Sequence, residues 1–147
     1  MKQIISKALA LVALSTVLFS FVPKPGGEGF EIYLNNKLLV QRYGSDVNNT
    51  ATLQLASATA DDQLVIKYHH CGKVGKNRVI TIKDDQDRIL KEFRYTDVAT
   101  PVGSLSVPVK DILNFKKGNT VLKLYYSSTE LPNGRMLASL NVNKQVA

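Results

Sequence analysis

Apolar and polar residues alternate in short runs from Phe30 to Val142, a period of two that is typical of β-strands with one buried face. The alternation is clearest at 64–68 and 122–126. Turn residues interrupt the runs at regular intervals, so the pattern predicts about nine short strands. The predicted strands cover residues 30–34, 37–43, 50–55, 63–70, 78–83, 89–95, 105–109, 120–127 and 135–142.

The first two predicted strands are joined by Asn35 and Asn36, a residue type that tolerates the positive φ angles of a tight hairpin turn. A two-residue turn at this position pairs Ile32 with Leu39. One face of the hairpin is then expected to be buried, and its members are Phe30, Ile32, Leu34 and Leu39.

Turn chemistry also separates the later strands. The predicted turns lie at 60–62, 71–77, 84–87 and 132–134. One segment, 110–117, has helical spacing with lysines in its last turn and Gly118 as a stop, and it predicts one or two helical turns. The chain is therefore expected to be an all-β, antiparallel β-sandwich of eight or nine strands with at most one short helix. A closed β-barrel is the alternative.

The segment 1–22 has the layout of a secretory signal: Lys2 and Lys7 precede an uncharged stretch at 8–22, and a Pro/Gly-rich segment follows. The uncharged stretch is shorter than the roughly 20 apolar residues that span a membrane. We therefore expect a cleaved signal at 1–22, a short lead at 23–29 and a single domain at 30–147. The mature protein is expected in the periplasm or outside the cell, without a transmembrane span.

Composition limits what this domain can be. Cys71 is the sole cysteine, so stability comes from burial and hydrogen bonds rather than from an intrachain disulfide. The net charge is +7, and it falls to +5 when Lys2 and Lys7 leave with the signal. This spread-out excess suits solubility. With no Trp and scattered tyrosines, the sequence predicts no stacking platform for sugars or single-stranded nucleic acid, and no nucleic-acid partner is expected.

The densest candidate site is the segment 68–78, which holds both histidines and the cysteine. His69, His70 and Cys71 are good ligand types for zinc or copper. Adjacent residues of a strand point to opposite faces, however, and the spacing of a complete zinc site is missing. The competing interpretation has His70 packed inward beside Tyr68, with His69 outside near Lys67. We expect no bound cofactor.

Catalytic patterns are also missing from the sequence. A cysteine nucleophile needs a base from elsewhere in the fold, and the histidines adjacent to Cys71 diverge from it. There is no G-x-S-x-G motif, and neither Ser104 nor Ser106 lies beside a base in the sequence. The Asp-rich segment 84–87 lacks the glycine and distal glutamate of a calcium loop. We therefore expect that the protein is not an enzyme.

Basic residues around the predicted 67–78 hairpin give a different candidate site. The glycines at 72 and 75 do not have the spacing of a nucleotide-binding loop. The positive charge nevertheless predicts some attraction of an anionic polysaccharide or lipid. The candidate binding residues are Lys67, Lys73, Lys76, Arg78 and, from a later strand, Arg135.

Four segments carry a wider likeness: KPGGEGFEIYLNNKLLVQ, HCGKVGKNRVITIKD, LKEF and LYYSSTELPNGRMLASL. Together they resemble a family of small exported bacterial β-sandwich proteins of uncharacterised function. The resemblance implies no catalytic residue. It implies shared features at 70–72 and at 130–135, either for folding or for binding.

These patterns predict an exported, non-enzymatic β-sandwich that binds a protein or an envelope component through its loops or sheet surfaces. A metal-binding or thiol-dependent protein centred on His69, His70 and Cys71 is one alternative. Binding of anionic glycan or lipid by the basic hairpin is the other.

Overall fold

The computed structural model describes residues 27–116 and 121–143, and the predicted signal at 1–22 lies outside them. Within these ranges the chain forms nine strands, one 3₁₀ helix at Gly44–Asn48 and one α-helix. The strands are β1 Gly29–Leu34, β2 Lys37–Tyr43, β3 Ala51–Gln54, β4 Gln63–His69, β5 Val79–Lys83, β6 Ile89–Arg94, β7 Ser104–Pro108, β8 Val121–Ser128 and β9 Leu131–Asn141; the helix α1 is Val109–Leu113.

The strands form two sheets that face each other as a β-sandwich, which confirms the predicted fold class. One sheet has four strands in the order β2-β1-β4-β7, and the other has five in the order β3-β9-β8-β5-β6. Neighbouring strands are antiparallel except for β3 and β9, which run parallel. Over the described ranges the sheets do not close into a barrel.

The inward side chains of both sheets form one apolar core, and alternation along β4 and β8 sets which residues belong to it. In β4, Leu64, Ile66 and Tyr68 are buried while the residues between them are partly exposed. The same alternation buries Leu122, Leu124 and Tyr126 in β8. Other fully buried members include Phe30, Ile32, Leu55, Ile80, Ile82, Leu105, Ile112, Leu137 and Leu140.

The first hairpin differs from the predicted register. Ile32 pairs with Val40 rather than with Leu39, because the register shifts by one residue after Ile32. The extra residue of such a bulge changes the pairing without ending the strand. Phe30 and Ile32 are fully buried as expected, and Leu34 and Leu39 pack against the core while remaining partly exposed.

The predicted turn at 132–134 is wrong. The chain turns at 129–130, and β9 begins at Leu131 and continues through Pro132, Asn133 and Gly134. Gly134 has a φ of 69°, and the pairing of β8 with β9 is irregular between Tyr126 and Ser128. Proline and glycine are tolerated within a strand where a bulge interrupts the ladder, which explains why these residues do not end β9.

Two element boundaries also differ from prediction. The helix at Val109–Leu113 is shorter than the predicted helical segment 110–117. Lys117 and the predicted stop Gly118 lie outside the described residues. The predicted lead at 23–29 overlaps the domain, because Gly29 begins β1 and Glu28 is hydrogen-bonded to the sandwich. The 3₁₀ helix at Gly44–Asn48 was not predicted; it buries Val47 against the core.

The predicted turn at 84–87 is present, and it is organised by its own side chains. The Asp84 carboxylate accepts backbone hydrogen bonds from Gln86 and Arg88 and pairs with the Arg88 guanidinium at 2.7 Å. Lys123 binds the Asp87 carboxylate at 2.8 Å. These contacts give the carboxylates of Asp84 and Asp87 roles in folding. In the described part of the chain, no helix is long and apolar enough to cross a membrane.

The alternation of inward and outward side chains along β4, which we call its phase, predicts how two neighbouring substitutions affect stability. Ile66 is fully buried, whereas its neighbour Val65 lies on the outer face. Ile66→Ala should lower the free energy of unfolding by about 2–5 kcal/mol, because it leaves a cavity in the core. The control Val65→Ala should cost about 1 kcal/mol or less. Urea denaturation measures both, and equal costs would contradict the assigned phase.

Candidate functional site

A cluster of polar and aromatic side chains lies on the outer face of the four-stranded sheet. It is built from β1, β2 and β4, whose register brings Glu31 opposite Gln41 and Lys67, and Gly29 opposite Tyr43 and His69. Alternation sends these side chains outward because their neighbours are directed to the core. We name this surface the tyrosine face; its members are Glu31, Tyr33, Gln41, Tyr43, Lys67 and His69.

The Glu31 carboxylate is the centre of the tyrosine face. It accepts a hydrogen bond from Tyr43 Oη at 2.6 Å and one from Tyr33 Oη at 2.7 Å. Gln41 Nε2 donates a third, at 3.3 Å. Partial burial raises the pKa of Glu31, but the tyrosine hydrogen bonds and nearby positive charge outweigh it, and the net pKa is lowered. Glu31 is therefore an ionised acceptor at neutral pH.

Tyr43 occupies the space above Gly29. A Cβ at position 29 would lie 2.1 Å from Tyr43 Cδ1, so only glycine leaves room for this ring. The hydroxyl of Tyr43 lies 3.2 Å from His69 Nε2, and the two rings contact at a centroid distance of 5.4 Å. Burial and the bond to Glu31 raise the pKa of Tyr43 to about 12. The residue is still 37% exposed, so Tyr43 is held by its neighbours and accessible at the surface.

Lys67 contacts Tyr33, the second tyrosine of the tyrosine face. Its ammonium lies 4.9 Å from the centre of the Tyr33 ring, a distance at which a cation is attracted to the negative face of the aromatic system. A comparable pair, Lys83 and Tyr125 at 4.2 Å, lies on the five-stranded sheet. Tyr125 also has a carboxylate neighbour, Asp87, with which it shares a hydrogen bond, but Glu31 is bonded by two tyrosines, and this difference makes the second pair a useful reference.

A separate group of polar side chains lies between the sheets, where β4 and β8 end, with Glu28 and Arg135 partly exposed at its edge. We name it the polar end layer: Glu28, Tyr68, His70, Tyr126, Ser128 and Arg135. Tyr68 stacks on Tyr126 with ring centres 4.2 Å apart. The Tyr68 hydroxyl donates to Glu28 Oε1 at 2.6 Å and also contacts Arg135 Nη1. Arg135 pairs with the same Glu28 oxygen at 2.7 Å.

His70 is 8% exposed and faces inward, as the packing interpretation predicted. Its Nε2 lies 2.7 Å from the Tyr126 hydroxyl and 3.3 Å from Ser128 Oγ. The loop at 71–77 covers it, and a Cβ at Gly75 would approach the His70 ring to 2.9 Å. Sequence reasoning missed this neighbouring serine because the two residues are 58 positions apart. Ser128 is 6% exposed, so the pair is sheltered from solvent.

The three proposed metal ligands do not converge. His69 faces outward on the tyrosine face, His70 faces inward, and Cys71 is an exposed thiol in a turn with a φ of 54°. Among residues 27–116 and 121–143, no group of three or more His, Cys, Asp or Glu side chains could hold a metal ion.

The five basic candidates are also dispersed. Lys67 belongs to the tyrosine face, Arg135 is paired with Glu28, and Lys73 and Lys76 are exposed in the 71–77 loop. Arg78 is 5% exposed, so it cannot extend an anion-binding surface.

Arg78 instead holds the crossover between the sheets. Its guanidinium donates to the Thr96 carbonyl at 3.1 Å and to the Gly103 carbonyl at 3.3 Å. Its Nε is buried without a hydrogen-bond partner in the described part of the chain, which costs about 1–3 kcal/mol. This burial was not predictable from local sequence, because the two carbonyls belong to a loop 18 to 25 residues away.

Fold and sites together define a β-sandwich with an ordered, outward polar surface and a sheltered polar layer. No protein-family model matches this chain, and a search of curated proteins finds no similar sequence. The resemblance to small exported bacterial β-sandwich proteins therefore stays a prediction.

His70 makes stability depend on pH. Burial is the largest influence on its pKa and lowers it from the usual 6.5. The unfolded chain then takes up a proton that the folded chain resists, so stability should fall as the pH drops through about 6.5 towards the folded pKa. The carboxylates whose pKa is lowered, such as Glu28 and Glu31, contribute stability that is lost only in more acidic solution, near their usual pKa of 4.5.

The test compares the wild type with His70→Gln by urea denaturation between about pH 7.5 and about pH 5. The wild type should lose stability across this range, and the variant should have the smaller slope. The difference in the free energy of unfolding between the two proteins at about pH 7.5, where the histidine is neutral in both states, gives the pH-independent effect of the substitution. Equal slopes would show that His70 is not the group responsible.

Proposed function

We propose that this protein is an exported, non-enzymatic binding module that attaches to a component of the bacterial cell envelope through its tyrosine face. Export is supported by the pattern at 1–22, with its two lysines and uncharged stretch. An immunoglobulin-like arrangement within the β-sandwich class is part of the same proposal, supported by two open, mainly antiparallel sheets.

The observation that carries the proposal is the convergence of two tyrosines, a glutamine, a lysine and a histidine around Glu31. Tyr33 and Tyr43 both donate to this one carboxylate, from different strands. These hydrogen bonds to an ionised carboxylate add to stability. They also hold the tyrosine side chains in a fixed arrangement on a rigid sheet, which lowers the entropy lost when a ligand binds. This order at an accessible surface supports a role in ligand binding.

The non-enzymatic part of the proposal rests on access. The nearest approach to a nucleophile with its base is Ser128 beside His70, and both are sheltered under the 71–77 loop. The Nε2 of His70 lies closer to the Tyr126 hydroxyl than to Ser128. This arrangement serves hydrogen bonding inside the sandwich. On the tyrosine face, the Glu31 carboxylate already accepts three hydrogen bonds, which favour its ionised form over one that takes up a proton.

Replacing the two aromatic rings tests the proposal. Tyr33→Ala with Tyr43→Ala should weaken retention of the purified protein on bacterial envelope fragments by about tenfold or more, because each ring that contacts a ligand contributes about 1 kcal/mol. Both rings lie outside the core, so the variant should still unfold cooperatively. Co-sedimentation at increasing fragment concentration gives the affinity.

Tyr125→Ala is the matched control, since it removes a ring that also contacts a lysine but lies on the opposite sheet. The control should bind as the wild type does. Lys73→Glu with Lys76→Glu is a second reference, because it reverses two exposed charges in the 71–77 loop. If retention depends on that loop and not on the tyrosines, the proposed surface is wrong.

A further inference from the structure

We infer that the ligand of the tyrosine face is an uncharged polysaccharide, with sugar rings packing on Tyr43 and hydroxyl groups bonding around Glu31. This inference rests on the proposed function and names the chemical class that the surface would take. It follows from the exposed ring, from the polar groups beside it, from the balance of charge and from the dimensions of the surface.

The Tyr43 ring provides an apolar contact that is already in place. Its position over Gly29 and its bonds to Glu31 and His69 restrict its rotation. Aromatic rings have an electron-rich face that attracts the weakly positive C–H groups on the flat side of a sugar ring. A fixed, partly exposed tyrosine therefore binds a pyranose with little loss of side-chain freedom.

Hydrogen-bond donors and hydrogen-bond acceptors both surround the Tyr43 ring. Glu31 is an acceptor with an ionised carboxylate, and Gln41 offers both a carbonyl and an amide. Lys67 is a donor on the other side of Glu31. A polysaccharide presents rows of hydroxyl groups, each of which donates and accepts. The mixture of groups on the tyrosine face matches that pattern, whereas an apolar ligand would remove water from these polar groups without offering hydrogen bonds in return.

The charge of the tyrosine face favours an uncharged ligand. Glu31 and Lys67 sit opposite each other in the register and cancel. With its two opposite charges balanced, this pair offers no net attraction for an anionic or for a cationic chain. The basic residues that could attract an anionic chain lie elsewhere, with Lys73 and Lys76 in the 71–77 loop.

The dimensions of the surface suit a short length of chain. It spans three neighbouring strands, about 10 Å across, and three rows of side chains from the Gly29 row to the Tyr33 row, about 13 Å along the strands. A flat surface of this size accommodates a few consecutive sugar units. A protein partner that extended the sheet would instead pair with the backbone at the β2 edge, and it would not need the rings or Glu31.

The inference is tested by selective destruction of the envelope ligand before binding. Periodate cleaves the neighbouring diols of sugars, and a protease removes protein; both reagents are quenched and washed out before the purified chain is added. Periodate treatment should reduce retention by about tenfold, and Tyr43→Ala should reduce retention on untreated fragments by about fivefold, whereas protease treatment should leave it within about twofold. Mock-treated fragments and Tyr125→Ala are the controls.

Salt separates uncharged from anionic glycans. Retention of the wild type should change less than about twofold between about 0.1 M and about 1 M salt, because screening weakens only charged contacts. Loss of retention at high salt would overturn the inference in favour of an anionic chain.

The possible failures are distinguishable from failure of the proposed function. One outcome is that protease abolishes retention, periodate has no effect and Tyr43→Ala still weakens binding. It would overturn the polysaccharide ligand while supporting binding by the tyrosine face. A second outcome is retention that periodate abolishes but Tyr43→Ala does not change. It would show that a glycan binds elsewhere on the protein, and it would overturn both the inferred ligand of the tyrosine face and the proposed binding surface.

Discussion

The phase of strand β4 is the constraint on which the rest of the structure depends. Tyr68 points inward and stacks on Tyr126 of the opposite sheet, so the two sheets meet through a pair of rings at the end of the sandwich. Because side chains alternate along a strand, the same choice sends Lys67 and His69 outward. A shift of one residue would bury Lys67 and His69 and expose Tyr68. Core packing and the surface arrangement are thus fixed together.

Inward placement of Tyr68 and His70 creates polar groups inside the sandwich, and these must be satisfied. The Tyr68 hydroxyl is bonded by Glu28 and Arg135, which also attaches the residue before β1 to the far sheet. His70 uses the hydroxyls of Tyr126 and Ser128. A buried polar group costs free energy unless it is paired, and here each pairing joins segments that are distant in sequence. The positions of His70 and Arg135 are therefore explained by their hydrogen bonds within the fold.

Local pattern was sufficient to predict the strands, because alternation and turn residues act over a few positions; the opposite directions of His69 and His70 followed from it directly. Non-local features were not accessible. The bulge after Ile32 moved the hairpin pairing, and a second irregularity let β9 run through Pro132 and Gly134. The tyrosine face was missed for the same reason: its tyrosines look scattered until cross-strand register brings them to one carboxylate.

The most direct test of the account is an NMR titration of the isotopically labelled protein with solubilised envelope fragments. Binding by the tyrosine face predicts that the largest shift changes occur at backbone amides of the three strands that build it, within residues 29–33, 41–43 and 67–69. Amides of the five-stranded sheet should be little affected. Largest changes in the 71–77 loop, or on the sheet that carries Tyr125, would contradict the account.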